Sequence, residues 1–409
     1  MNCRYCGTPL RHTFLDLGFA PPSNAYLTAD DLHRPENYYP LRVKVCEQCW
    51  LVQTEDYAQA GELFSPDYAY FSSTSTSWLA HAKAYCEQMI AALGLGANSQ
   101  VIEVASNDGY LLRNFVAAGV PCLGIEPTAS TAAAAEALGI PVLREFFGEV
   151  LGQRLAAEGR AADLICGNNV YAHVPDINDF TRGLRAALKP EGVVTLEFPH
   201  LMRLIEHTQF DTVYHEHYSY LSLTAVHQIS TAAGLRVWDV EELQTHGGSL
   251  RVFACRAEAA RAETPRVAEM LAREEAAGLT QLATYTSFQA RADKVKDDLL
   301  AWLIEQKRAG KRVAAYGAAA KGNTLLNYAG VKPDLLPFVC DAAAAKQGKY
   351  LPGSHIPILP PDSLRSDMPD VVLILPWNIA NEVRVQLSDL ASRRVRFATA
   401  VPELAVIEV

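Results

Sequence analysis

Tyr214-His215-Glu216-His217-Tyr218 places four rings that carry or donate protons around one carboxylate, within five consecutive residues. Imidazole changes charge near neutral pH, so a run of this kind suits proton transfer better than core packing. The spacing argues against a metal. Two helical histidines sharing an ion stand at i, i+4, as in H-E-x-x-H, whereas His215 and His217 stand at i, i+2. That interval fits one face of a strand or a loop folded inward. Acid–base chemistry is the working assignment.

Metal-ligand spacing occurs elsewhere, in Cys3-Arg4-Tyr5-Cys6 and Cys46-Glu47-Gln48-Cys49. Each short knuckle can offer two thiolates, and four thiolates close a tetrahedral zinc site that is structural, not catalytic. The intervening segment is longer than in zinc ribbons and is expected to carry structure of its own. The competing readings are two knuckles that share no ion, or a redox C-x-x-C. Cys86, Cys122, Cys166, Cys255 and Cys340 are scattered singly and read as small core residues.

These groups need a scaffold. The chain has 409 residues and is 49% hydrophobic, enough for two or three domains. A net charge of -10 and a pI of about 5.6 argue against a nucleic-acid partner. They do not exclude an anionic small substrate. No signal peptide is read in the first ten residues, and no run of 18 apolar residues suggests a membrane span. Nine cysteines in such a chain point to a reducing cytoplasm.

The predicted class is α/β in three units. Residues 1–76 form the zinc-binding unit. Residues 77–254 form a Rossmann-like unit, with helices over 78–93 and 110–118 and strands over 101–105, 121–126, 163–166 and 192–197. Strands separated by helical stretches indicate a parallel, doubly wound sheet. Residues 255–409 repeat that logic, with one or two long helices over 265–308 and strands at 311–316, 335–340 and 371–375.

Two strand–turn–helix junctions are candidate ligand sites, because such turns aim backbone N–H groups outward. Glu103-Val104-Ala105-Ser106-Asn107-Asp108-Gly109 is not G-x-G-x-x-G and does not favour a dinucleotide. It looks like the first motif of S-adenosylmethionine-dependent methyltransferases, with Glu126, at the end of the next strand, as the ribose acid. Asn168, Asn169 and His173-Val174-Pro175-Asp176 resemble the fourth-strand motif of that class, and Leu188-Lys189-Pro190-Glu191-Gly192 is also typical of it. In the third unit Gly317, Lys321 and Asn323 are candidate contacts to a diphosphate. Ala319 replaces the second glycine of the dinucleotide pattern, so NAD is not expected.

Together, the four-cysteine module, the Glu103–Gly109 turn, the Tyr214–His217 run and the C-terminal α/β unit resemble the sugar C-methyltransferases that act on nucleotide-linked 4-keto-deoxysugars. The resemblance spans essentially the whole chain. It implies methylation of C-3 with S-adenosylmethionine as cofactor and a structural zinc ion at Cys3, Cys6, Cys46 and Cys49. The cofactor set is Glu103, Ser106, Asn107, Gly109, Glu126, Asn168 and Asn169. The nucleotide diphosphate is dTDP by first expectation, with GDP or CDP as alternatives. It also implies that Tyr214, Glu216 and His217, with His173 and Tyr70, stand at the active site. A C-terminal unit would help enclose the sugar nucleotide. The expected state is a cytoplasmic monomer.

A carbon acceptor explains such a cluster. The C-3 proton beside a keto group must be removed by a base, here His217, leaving an enolate. Glu216 is expected to orient that imidazole, which requires a loop, since neighbours on a strand point apart. Tyr214 and His173 are the donors expected for the enolate oxygen, and His215 and Tyr218 are read as structural. O- or N-methylation, or a non-catalytic zinc-stabilised sugar-nucleotide binder, are the alternatives.

Overall fold

The computed structural model describes residues 1–57 and 71–407, so Tyr70 lies outside the described residues. Each C-x-x-C knuckle is a tight loop. Gly7 N–H bonds the Cys3 carbonyl and Trp50 N–H the Cys46 carbonyl, both at 2.9 Å. The stretch between the knuckles holds β1 (His12–Ala20) and β2 (Tyr39–Val45), which pair antiparallel. The second knuckle leads into β3 (Val52–Thr54). Leu41, Val43 and Val45 of β2 are buried while their neighbours are half-buried, the alternation of a sheet with one wet face.

Helix Thr76–Leu93 opens the central unit, its first turn capped by Ser75 accepting from Trp78 N–H. Then come β4 (Val101–Val104), β5 (Cys122–Ile125), β6 (Val142–Leu143), β7 (Ala162–Asn168) and β8 (Leu188–Pro199). Each β4 and β5 residue is buried, as expected for parallel strands covered on both faces. β9 (Ser219–Tyr220) leaves this sheet and pairs with β3. β10 (Leu235–Leu243) and β11 (Ser249–Arg256) return to it as an antiparallel extension. The order is β10-β11-β8-β7-β4-β5-β6. The strand order reverses between β4 and β7, and ligands bind at the carboxyl ends of strands beside such a point.

The 265–308 stretch forms three helices, Pro265–Ala276, Leu282–Thr286 and Phe288–Arg308. Gly278, at φ 82°, ends the first. Val267, Met270 and Leu279 join the core of the central sheet, whereas Tyr285 and Phe288 join a core shared by β1, β2 and the C-terminal sheet. The chain therefore changes cores between Leu279 and Tyr285. The C-terminal sheet contains β12 (Val313–Tyr316), β13 (Val339–Cys340), β14 (Ile358–Leu359), β15 (Val371–Ile374), β16 (Arg396–Thr399) and β17 (Ala405–Ile407). Its order is β14-β13-β12-β15-β16-β17, parallel except for β17. β13 is shorter than its apolar run predicts, because Pro337 has no N–H for a ladder. Among the described residues no helix is long and apolar enough to cross a membrane.

Candidate active site

The four knuckle sulfurs converge, with all ligand atoms within 4.8 Å of one another. Cys3 Sγ lies 3.5 Å from Cys49 Sγ, and Cys6 Sγ 3.5 Å from Cys46 Sγ. Buried Gln53 braces the set, donating to Cys3 Sγ at 3.2 Å and accepting from Arg4 N–H at 2.8 Å. Four thiolates fill a tetrahedral zinc ion and leave no open position for a reacting group. Val52 and Gln53, just past the second knuckle, pair with Tyr220 and Ser219, just past the Tyr214–Tyr218 run.

That run is a turn, as the assignment of adjacent residues to one site requires: His217 N–H bonds the Tyr214 carbonyl at 3.0 Å. His217 Nδ1 lies 2.9 Å from the Thr212 carbonyl oxygen. A carbonyl only accepts, so Nδ1 carries the hydrogen and Nε2 the lone pair. His173 ends the short helical turn Tyr171–His173, and its Nδ1 donates to the Glu216 carbonyl at 2.9 Å. The His217 ring sits 4.0 Å from Tyr214 and 4.6 Å from His173 between centroids. Burial lowers the pKa of His173 to about 4. Burial, then the neighbouring His173, holds His217 well below the usual imidazole value. Both rings are neutral at pH 7, and their hydrogen-bonded carbonyls fix the same tautomer.

Glu216 differs from expectation. Its carboxylate accepts from Asn24 Nδ2 at 2.9 Å on each oxygen, and the group that orients His217 Nδ1 is the Thr212 carbonyl. The side chain of Glu216 braces the loop against the N-terminal segment, while its carbonyl orients His173. His215 is buried edge-on to Tyr39 of β2, and Tyr218 is buried under the Arg4 guanidinium.

The cofactor candidates gather at the carboxyl ends of β4 and β7. Among the described residues, Ser106 Oγ, Asp108 Oδ1, both amide atoms of Asn168 and Asn169 Oδ1 are buried without a hydrogen-bond partner. Buried polar groups are normally partnered, so this concentration marks a place for a polar ligand. Burial, reinforced by Asp108 and Glu126, raises the Glu103 carboxyl well above its usual value. A ligand with ammonium and sulfonium charges relieves that crowding, so the residues present fit S-adenosylmethionine. Glu126 accepts from Asn107 N–H at 3.0 Å and Thr128 N–H at 2.9 Å, and Asn107 Oδ1 accepts from Ser72 N–H at 2.9 Å. Gly109 has a packing reason beside the one expected: at φ 79°, a Cβ there would lie 2.5 Å from Ile140 Cδ1.

The third wall comes from two loops. Asn169, at φ 55°, donates from Nδ2 to His246 Nε2 at 2.9 Å. Gly247, next to His246, faces Trp377, where a Cβ would lie 2.4 Å from the indole. Trp377 Nε1 donates to Asp211 Oδ2 at 2.7 Å. Half-buried Lys321 sits 4.9 Å above the Trp377 ring and donates to Asn378 Oδ1 at 2.7 Å. Gly317 and Asn323, expected at a diphosphate, also have neighbours within the fold. A Cβ on Gly317 would lie 2.3 Å from Pro376, and buried Asn323 donates to the Ser23 carbonyl at 3.5 Å.

Sequence reasoning missed Asn24, Thr212, Asp108, Asp211 and Trp377. Asp108 and Trp377 follow parallel strands at their carboxyl ends, a signal that could have flagged them. Asn24 and the Thr212 carbonyl have no local signature.

Residues 3–64 match a family described as a zinc binding domain, residues 78–240 a methyltransferase domain, and residues 244–402 a C-methyltransferase C-terminal domain. The chain is 35% identical over 406 residues to C-methyltransferase NovU of Streptomyces niveus, covering 99% of this chain and 96% of that protein. Among solved structures, an S-adenosylmethionine-dependent methyltransferase from Clostridium acetobutylicum aligns with a TM-score of 0.36 at 10% identity, over 44% of this chain and 92% of its own. Magnesium protoporphyrin IX methyltransferase from Synechocystis, with bound S-adenosylhomocysteine, aligns with a TM-score of 0.35 at 13% identity, over 44% and 83%. Near-complete coverage of a curated relative, with all three family matches in order, shows that the chain belongs to the zinc-containing, S-adenosylmethionine-dependent C-methyltransferases.

Proposed function

We propose that the acceptor carbon is C-3 of a nucleotide-linked 4-keto-deoxysugar, dTDP-linked by first choice, and that the product is a branched sugar. The observation that carries this reading is His217: a buried neutral imidazole whose Nδ1 is committed to the Thr212 carbonyl, leaving Nε2 as a proton acceptor. A carbon acceptor demands such a base, because its C–H bond must break before it becomes nucleophilic. An oxygen or nitrogen acceptor asks for less.

In this reading His217 Nε2 removes the C-3 proton and Tyr214, in ring contact with it, flanks the carbonyl that takes the charge; His173 is not the enolate donor that the sequence suggests, because its one N–H goes to the Glu216 carbonyl. Tyr70 belongs to the same proposal through the family resemblance alone. Glu103, Ser106, Asp108, Glu126, Asn168 and Asn169 hold the cofactor between β4 and β7. Bound S-adenosylmethionine supplies an electrophilic methyl group on a sulfonium sulfur. Zinc takes no step, since its four positions are filled by thiolates. The reduced thiols suit a cytoplasmic enzyme.

The test mixes the protein with S-adenosylmethionine and a panel of dTDP-, GDP- and CDP-linked 4-keto-6-deoxysugars and follows product mass. One keto-sugar is expected to gain the mass of a methylene group. Cofactor binding without a mass gain on any of them would show that the acceptor class is different.

A further inference from the structure

Lys321 is placed at a cost. It lies in the first turn of helix Ala320–Tyr328, where the helix dipole disfavours a cation. Among the described residues no carboxylate lies within 4.0 Å of its ammonium. Buried Asp211 is the acid whose charge acts on it, from beyond that distance, so the cost of burying the ammonium is offset only in part, which marks a candidate functional position. The fold nonetheless holds it firmly, with Asn378 Oδ1 at 2.7 Å and the Trp377 ring beneath at 4.9 Å.

Its direction is set by its own helix. Thr324, three residues on and therefore on the same face, donates to the Val213 carbonyl at 2.9 Å. Val213 immediately precedes Tyr214. Trp377, under the ammonium, bonds Asp211 and abuts Gly247. Lys321, at the start of the helix that follows the Gly317 turn, thus stands beside the segment that carries His217 and beside the loop that carries His246. Its charge helps keep both imidazoles neutral.

We propose that Lys321 is a further catalytic residue, whose ammonium receives the negative charge that develops on the substrate's carbonyl oxygen and does not bind the diphosphate. This rests on the keto-sugar reading above. The step balances without any other reactant. The C-3–H bond breaks, its proton goes to His217 Nε2, and its electron pair forms the C-3–C-4 double bond. The carbonyl π pair moves onto the C-4 oxygen beside Lys321. In the free enzyme the same charge opposes protonation of His217. Its benefit appears only when the enolate forms, which makes the contact specific to the transition state.

The experiment follows proton exchange at C-3 of dTDP-4-keto-6-deoxyglucose in deuterated water, with S-adenosylhomocysteine bound and no methyl donor. The wild type is expected to exchange above the enzyme-free rate. Lys321→Met is expected to slow exchange at saturating sugar by roughly 100-fold, while dTDP binds within twofold of wild type by calorimetry. Lys321→Arg is expected to fall between them. S-adenosylhomocysteine binding reports that each variant is folded. Weakened dTDP binding with full exchange at saturation would make Lys321 a diphosphate contact and overturn the proposal. No exchange by the wild type would remove the keto-sugar reading itself, and this inference with it.

Discussion

The turn after β4 and the turn after β12 are built on one plan and end in different states. In each, an acid at the end of the neighbouring strand locks the turn. Glu126 accepts from Asn107 and Thr128 N–H groups, and Asp341 accepts from Ala318 and Ala343 N–H groups at 2.8 Å each. In each, a glycine accommodates the chain's own atoms, Ile140 in the first and Pro376 in the second. Among the described residues, the first turn keeps a set of buried oxygens and amides without partners. The second keeps one such atom among the described residues, Asn323 Oδ1 in the helix that follows it: Lys346 reaches the Ala318 carbonyl at 2.9 Å and Asp341 at 3.6 Å, and the Tyr26 hydroxyl donates to the same carbonyl at 2.6 Å. The number of unsatisfied polar groups distinguishes the proposed cofactor site, and the motif alone does not. The second unit is left to brace the His217 loop through Thr324 and to present Lys321.

The largest effect falls between the two turns. His217→Ala is expected to lower methyl transfer by about 10³-fold or more, with S-adenosylhomocysteine binding unchanged in calorimetry. Retained turnover would remove His217 as the base. Stripping zinc with a chelator is expected to follow, with transfer falling by about 100-fold as the β3–β9 pairing loosens and the His217 loop shifts. Full activity in metal-free protein, verified by elemental analysis, would sever the module from the site.

Paired substitutions test the comparison itself. Glu126→Ala is expected to weaken S-adenosylhomocysteine by roughly 10- to 100-fold, the loss of hydrogen bonds to a charged group. Asp341→Ala is expected to leave that affinity unchanged and to cost about 1–3 kcal/mol of stability in denaturant titration. Equal losses of affinity in both variants would mean that the second turn also holds the cofactor.

The smallest effect is on pH. A base with a lowered pKa stays neutral further into acid, so the acid limb of kcat/KM should fall below 6.5. Stability runs in the same direction. His173 and His246 are both lowered to about 4, mainly by burial. As pH falls from about 6.5 toward 4, the unfolded chain takes up protons that the native state refuses, and stability drops across that window. A stability curve flat from pH 7 to 4 would contradict this burial.

Much of the site was legible because it is written in local spacing. The knuckles, the Glu103–Gly109 turn and the need for an irregular backbone at 214–218 all follow from residues close in sequence. What stayed hidden depends on contacts across the fold. Asn24 meets Glu216 only because the N-terminal sheet receives β9, and a backbone carbonyl such as that of Thr212 has no residue type to betray it. The packing role of the two glycines was hidden for the same reason: their neighbours, Ile140 and Pro376, lie far along the chain. The 265–308 stretch shows helical composition throughout, and composition does not reveal which of two cores each helix joins.

The most direct test of the central claim is the position of the transferred methyl group. With S-adenosylmethionine labelled with carbon-13 in its methyl group and the keto-sugar that gains mass, carbon NMR reads the atom to which the label is bound. The account predicts a methyl carbon bonded to C-3 of the sugar. A label on oxygen or nitrogen would contradict it.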